Sequence, residues 1–160
     1  MQDVESTTEE LIYGQPGHLI RRAHQIATAA FLEETAHLGI TPVQYAMLVV
    51  ISENPGLDAT RVSDLIAIDR ATVGNVASRL ESRGLLTRKV DKHDLRAKNI
   101  FVTGAGMEVI EKIKPLVDPI AERMLSGLDA ARRQQLISIL NELVDIDAAK
   151  KRARLIAEAK

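Results

Sequence analysis

Apolar side chains recur at helical spacing through most of the chain, and breakers divide that pattern into successive elements. Leu19, Ile20, Ala23, Ile26, Ala27, Ala30 and Phe31 share one face of a helix predicted from about Pro16 to Leu38, with Pro16 in its first turn and Gly39 as its stop. The segment TPVQYAMLVVISENPG predicts a second helix, with Thr41 as N-cap, Pro42 at the first helical position, Gln44 completing a capping box and Asn54-Pro55-Gly56 as the breaker. A third helix of two or three turns follows in DATRVSDLIAI, capped by Asp58 and carrying Val62, Leu65 and Ile66 as its apolar stripe. Asp69 then caps a fourth, RATVGNVASRLESRG, closed by Gly84.

After Gly84 the period shortens. Leu85–Val90 and Asn99–Thr103 are strand-like runs flanking the polar connection DKHDLRAK, which predicts a hairpin with a long tip. Thr103 starts a further helix running to about Leu125, which Pro115 and Pro119 should bend or interrupt. A last helix begins near Asp129, with Leu136, Ile137, Leu140, Leu143, Val144 and Ile146 as its buried stripe. Helix, short helix, helix and two-stranded hairpin is the order of a winged helix-turn-helix, and the tight turn Ala67-Ile68-Asp69 suits the join between its two helices. The fold class predicted is therefore mainly α with a small β-hairpin wing.

On the fourth helix Val73, Val76, Ala77 and Leu80 fall at i, i+3, i+4 and i+7 and face the core. The opposite face carries Arg70, Thr72, Asn75, Ser78, Arg79 and Ser82, and no acidic side chain stands between Arg70 and Leu80. Such a face can lie against phosphates and base edges: Arg reads guanine, Asn reads adenine, and a Thr methyl touches thymine. Arg79 can equally be a phosphate contact or a solvated side chain, and Arg83 and Arg88 can pair with Glu81 or with the helix terminus. The hairpin tip adds Lys92, His93, Arg96 and Lys98, suited to a wing that follows the backbone into the minor groove. Asp94, two residues before Arg96, can orient its guanidinium.

Charge first argues against a nucleic-acid partner, because 21 Lys and Arg oppose 22 Asp and Glu for a net charge of −1. Its distribution reverses that. Residues 1–60 carry −6 and residues 99–160 carry +1, whereas residues 61–98, with nine basic and five acidic side chains, carry +4. The 46% hydrophobic and 27% charged fractions suit a globular protein of 160 residues with a core of its own. With 2% aromatic residues and no Trp, that core is built from Leu, Ile, Val, Ala and Met. The absence of cysteine excludes disulfides, Cys-ligated zinc or iron–sulfur sites and thiol redox sensing. No apolar run reaches transmembrane length and the acidic start MQDVESTTEE is unlike a secretory signal, so a cytoplasmic location is expected.

The run LTRKVDKHDLRAKNIFVTGAG resembles the wing of the MarR (multiple antibiotic resistance regulator) family, with its Asp-x-Arg in a charged loop and an aliphatic strand ending in Thr. TPVQYAMLVVISENPG and IDRATVGNVASRLESRGLL resemble that family's second helix and recognition helix, and the likeness spans residues 16–146. It implies a homodimeric winged-helix repressor whose first and last helices form the dimer interface, on a pseudo-palindromic double-stranded DNA operator. Carried over, Asp94 and Arg96 match the wing motif, and Arg70, Thr72, Asn75 and Arg79 the groove-facing positions. With Lys92 and Lys98 these make up the expected DNA-binding set. The family's peroxide-sensing branch needs a reactive cysteine, which this chain lacks. The domain organisation expected is an acidic, flexible tail at 1–14, helical dimerisation regions at 15–40 and 104–160, and the DNA-binding domain at 41–103.

His18, Arg21, Arg22 and Gln25 cluster opposite the apolar stripe of the first helix, either as a solvated face or as the cationic wall of a ligand cleft. In a dimer built on this helix, a covered His–Arg cluster would take a carboxylate, with Tyr45 lining the same cleft. Comparable clefts in the MarR family bind aromatic acids and phenols, so the expected ligand-binding set is His18, Arg21, Arg22 and Tyr45 and the expected effector a small aromatic carboxylate or phenol. The histidines His18, His24, His37 and His93 lack the spacing of a metal pair, and neither a metal site nor any cofactor is expected. No nucleophile elbow, phosphate loop, zinc-protease or dinucleotide motif points to catalysis. The function expected is repression of a catabolic or efflux operon. The alternatives are a winged-helix protein–protein interaction module and a DNA-binding regulator without an effector.

Overall fold

The computed structural model describes the backbone of residues 12–90 and 98–158, and the side chains of residues 12–90 and 98–145. In chain order the elements are α1 (Pro16–Glu34), a 3-10 turn (Ala36–Leu38), α2 (Pro42–Glu53), α3 (Ala59–Ile66), α4 (Arg70–Ser82), β1 (Leu86–Val90), β2 (Lys98–Val102), α5 (Gly104–Ile113), a 3-10 turn (Lys114–Leu116), α6 (Val117–Met124) and α7 (Ala130–Glu158). They fall into two compact units, one ending at Ala121 and one beginning at Glu122.

Caps set the helix starts. The Thr41 hydroxyl accepts from the Gln44 amide at 3.3 Å while Gln44 Oε1 accepts from the Thr41 amide at 3.0 Å, closing the capping box of α2. Asp58 accepts from the Arg61 amide at 2.8 Å and Asp69 from the Thr72 amide at 2.9 Å, starting α3 and α4. Between those two helices Ala67 turns left-handed, with φ 54°, and Ser63 donates to the Ile68 carbonyl at 2.6 Å. This turn fixes the helix-turn-helix.

The first unit closes on a core of Ile40, Met47, Leu48, Ile51, Val62, Val73, Leu80, Leu86, Ile100 and Ile113, all fully buried or nearly so. Each contributes about 1.5–3 kcal/mol of burial. Strands β1 and β2 pair antiparallel from Leu86 opposite Val102 to Val90 opposite Lys98. Leu57 extends this sheet by one bridge, with the Ile100 amide donating to its carbonyl at 2.9 Å and the Gly56 amide donating to the Ile100 carbonyl at 3.0 Å. Gly106 lets α5 sit against the base of the wing, since a Cβ there would stand 2.3 Å from the Leu85 carbonyl oxygen.

Several expectations need correction. The first helix stops at Glu34 rather than Leu38, because the buried Thr35 hydroxyl donates to the Phe31 carbonyl at 2.7 Å and a 3-10 turn then leads to left-handed Gly39. Leu65, expected on the buried stripe of α3, is 58% exposed. A helix of barely two turns packs along the single line Val62–Ile66, and Leu65 stands about 100° round from Ile66. Of the apolar stripe of α1 only Ala30 and Phe31 are buried, while Leu19, Ile20 and Ile26 are exposed. On α7 the expected buried stripe is also open: Ile137, Leu140, Leu143 and Val144 are exposed and Leu136 half-buried, while the Ile146 side chain lies outside the described residues. A lone helix cannot cover its own apolar face. The prolines act as anticipated: Pro115 falls in the 3-10 turn and Pro119 in the first turn of α6.

Candidate functional site

The core side of α4 is fixed by Val73, Ala77 and Leu80, all buried, with Val76 half-buried beside them. Helical geometry then turns Arg70, Asn75, Ser78, Arg79 and Ser82 to the surface, with Thr72 half-exposed. Thr72, Asn75 and Arg79 stand at i, i+3 and i+7 and so form one line. Among the described residues, Arg70, Asn75 and Arg79 make no side-chain hydrogen bond or ion pair, so their donors are open to a ligand. The other two are engaged: Ser82 donates to the Arg79 carbonyl at 2.8 Å, and Ser78 accepts from Arg88 at 3.1 Å.

Asp69 holds the start of this helix doubly. Its Oδ1 accepts from the Thr72 amide at 2.9 Å and its Oδ2 from the Thr72 hydroxyl at 2.5 Å. These bonds, the hydroxyl first, keep its carboxyl below the usual carboxylate range. The Asp69 carboxylate thus already satisfies the first-turn amide of Thr72 and the positive end of the helix dipole, beside Arg70.

The wing stands beside α4. Lys98 is exposed at the start of β2, and its charge is among the causes that lower the Glu81 carboxyl. Lys92, Asp94, Arg96 and His93 lie outside the described residues. Both arginines with open alternatives find protein partners. Arg88 pairs with Glu81, and Arg83 donates to the Leu38 and Gly39 carbonyls at 2.8 and 2.7 Å, capping the 3-10 turn after α1 instead of its own helix. Lys89, not singled out by the sequence, places its ammonium 5.2 Å from the Phe101 ring centre.

On α1 an open cleft of about 360 Å³ is lined by Tyr13, His18, Leu19, Arg22, Ala23 and Ile26. Arg21 Nη2 lies 3.4 Å from His18 Nδ1. Nε2 is buried and has no partner, alone in that among the buried side-chain polar atoms of the described residues. The Tyr13 ring meets the imidazole edge-on at 5.5 Å. Of the expected ligand set, His18, Arg21 and Arg22 come together, whereas Tyr45 does not join them within the chain. Tyr45 packs on Phe31 at 5.8 Å, thirteen residues along α1 from His18 or roughly 20 Å at 1.5 Å per residue. Partial burial, then the Glu111 charge, raises its phenol further. Tyr13 was missed because it lies in the segment 1–14 expected to be a tail, ahead of the helix that carries His18. No group of three or more His, Asp or Glu that could hold a metal is found among the described residues.

A helix-turn-helix whose second helix carries no acidic side chain between Arg70 and Leu80, beside a two-stranded hairpin, is a winged helix-turn-helix module. The MarR family model matches residues 38–97. A Thauera aromatica protein assigned to regulation of the hcr operon is 30% identical over 148 residues, 89% of each chain. The structure of BpsR from Bordetella bronchiseptica, whose DNA binding is regulated by 6-hydroxynicotinic acid, superposes with a TM-score of 0.77 at 28% identity, covering 88% of this chain and 97% of that one. The repressor CouR, bound to a 23-mer DNA duplex, superposes with a TM-score of 0.76 at 27% identity, covering 88% of this chain and 99% of that one. The chain belongs to the MarR family.

Proposed function

We propose that this chain is a homodimeric, DNA-binding transcriptional repressor that acts in the cytoplasm on a catabolic or efflux operon and is released by a small aromatic acid or phenol. The observation that carries the reading is the outer face of α4, where Arg70, Asn75 and Arg79 stand free of protein partners and no acidic side chain lies between Arg70 and Leu80. In the DNA-bound form Arg70 and Arg79 meet phosphates or guanine edges, Asn75 an adenine edge and Thr72 a thymine methyl. Lys92, Arg96 and Lys98 extend the contact from the wing, with Asp94 orienting Arg96.

Exposed apolar side chains support the dimer. Leu19, Ile20 and Ile26 on α1 and Ile137, Ile139, Leu140, Leu143 and Val144 on α7 are each 43–65% exposed. Covering each would contribute up to about 1.5–3 kcal/mol. A two-fold dimer presents two copies of α4 to two half-sites, which is why the operator is expected to be pseudo-palindromic.

The cleft on α1 supports the effector. His18 Nε2 lacks a hydrogen-bond partner, Arg22 supplies a cation on the same cleft, and Leu19, Ala23, Ile26 and the Tyr13 ring give apolar walls. A carboxylate or phenolate on an aromatic ring satisfies all three, and regulation of BpsR by 6-hydroxynicotinic acid concerns a molecule of that kind. The ligand would release DNA by favouring a separation of the two α4 helices that does not fit successive major grooves. Calorimetric titration with hydroxybenzoates, hydroxynicotinates and phenols tests this site: one class should bind wild type, and Arg22→Ala and His18→Ala should each weaken it about tenfold or more. Unchanged affinity in both variants would remove the site and leave a regulator without this effector.

A further inference from the structure

One carboxylate ties the second helix of the helix-turn-helix to the wing. Glu81 lies in the last turn of α4, and Arg88 is the third residue of β1. The Arg88 amide donates to Glu81 Oε1 at 3.2 Å, its Nε donates to Oε2 at 2.9 Å, and its Nη2 reaches both Oε2 and, at 3.1 Å, Ser78 Oγ. The amide bond follows from the sheet. Ile100, opposite Arg88, uses its own amide and carbonyl on Leu57 and Gly56. The Arg88–Ile100 pair is therefore the type that exchanges no ladder bonds, and the Arg88 amide faces outward from the β1 edge. Glu81 occupies that edge, holding main chain and side chain of the same residue.

We infer that Glu81 and Arg88 are positioning residues for DNA recognition: bound to each other rather than to DNA, they set the spacing and angle between the outer face of α4 and the wing. The inference rests on the DNA-binding reading above. An exposed ion pair is ordinarily worth little. This one differs in spanning two elements, in engaging an edge amide, and in also reaching Ser78. It also withdraws one of the positive charges of residues 61–98 from the phosphates.

The sign of a single substitution separates positioning from charge. Glu81→Met keeps side-chain length and helix propensity, removes both acceptors and deletes a negative charge beside the DNA-facing surface. Charge alone then predicts tighter DNA binding, and positioning predicts weaker. The experiment uses the full chain, a duplex recovered by wild-type selection from genomic DNA, and a random duplex of equal length, read by fluorescence anisotropy across salt concentrations. Glu81→Met is expected to bind the selected duplex about fivefold or more weakly, with the same salt slope as wild type because no phosphate contact is lost. Glu81→Arg combined with Arg88→Glu restores the ion pair with reversed polarity, though not the acceptor for the residue-88 amide, and is expected to regain part of the affinity that Arg88→Glu alone loses. Equal or tighter binding by Glu81→Met, or a reversed pair that binds no better than Arg88→Glu alone, would overturn the inference. Should Glu81→Met melt below the assay temperature, the reversed pair decides on the same criterion. Wild type that holds neither duplex would overturn the DNA-binding reading itself, and this inference with it.

Discussion

Thr72 commits both of its donors to Asp69, its amide to Oδ1 at 2.9 Å and its hydroxyl to Oδ2 at 2.5 Å. The side chain at the N-terminal end of the line Thr72, Asn75 and Arg79 therefore has no proton for a base. What it offers is an acceptor lone pair and a methyl group.

Thr72→Ser keeps the hydroxyl bond to Asp69 and deletes the methyl. If that methyl rests on a thymine, wild type should discriminate a thymine-containing duplex from its deoxyuridine counterpart by about fourfold at one position, the worth of one buried methyl, and Thr72→Ser should not. Competition anisotropy with the two duplexes reads the difference, and equal discrimination by both proteins would place the methyl away from the DNA.

Acid should loosen this region in a defined direction. The Asp69 and Glu81 carboxyls are both held below their ordinary values, by the Thr72 hydroxyl and by Arg88 respectively. A carboxyl depressed in the folded state contributes stability that is complete above the unfolded value, near 4, and is lost as pH falls through the folded value. Melting temperature should thus be insensitive to these groups at neutral pH and drop below about pH 4. Glu81→Met should show a smaller acid-induced drop than wild type in parallel thermal melts.

Gly106→Ala pits two effects against each other. Alanine would improve helix propensity by about 1 kcal/mol, but its Cβ would stand 2.3 Å from the Leu85 carbonyl oxygen and 2.6 Å from Val102 Cγ1. The nearer neighbour is backbone and cannot rotate away, so the clash wins. A net loss of about 1–3 kcal/mol is expected in chemical denaturation, and a stabilised variant would mean that α5 is not seated on the wing as described.

Thr41→Ala removes the hydroxyl half of the capping box at α2 while leaving Pro42 in place. The expected loss is about 1 kcal/mol, read as a lowered denaturation midpoint with unchanged slope.

Local chemistry made much of this fold legible. Thr41, Asp58, Asp69 and Thr103 each cap a helix through their own side chain, so the start of α2, α3, α4 and α5 could be read from four residues. The outward set on α4 was equally legible, because burial of Val73, Ala77 and Leu80 fixes the rest of the helix by rotation alone. What the chain hid was tertiary. Arg83 caps a turn 44 residues away, and that partner is not visible as a local pattern. Tyr45 shows the same limit at the candidate site: its residue type suited an aromatic cleft, but packing carries it to Phe31 at the far end of α1.

The most direct test of the account is selection of fragments bound by the full chain from genomic DNA, followed by titration of the recovered duplex at rising salt. The account predicts enrichment of two inverted half-sites about one helical turn apart, with an affinity that falls steeply with salt and more gently once Arg79→Ala removes a cation from the DNA-facing side of α4. Failure to enrich any sequence, together with binding indifferent to salt, would contradict it and turn the same surface into one that holds a protein.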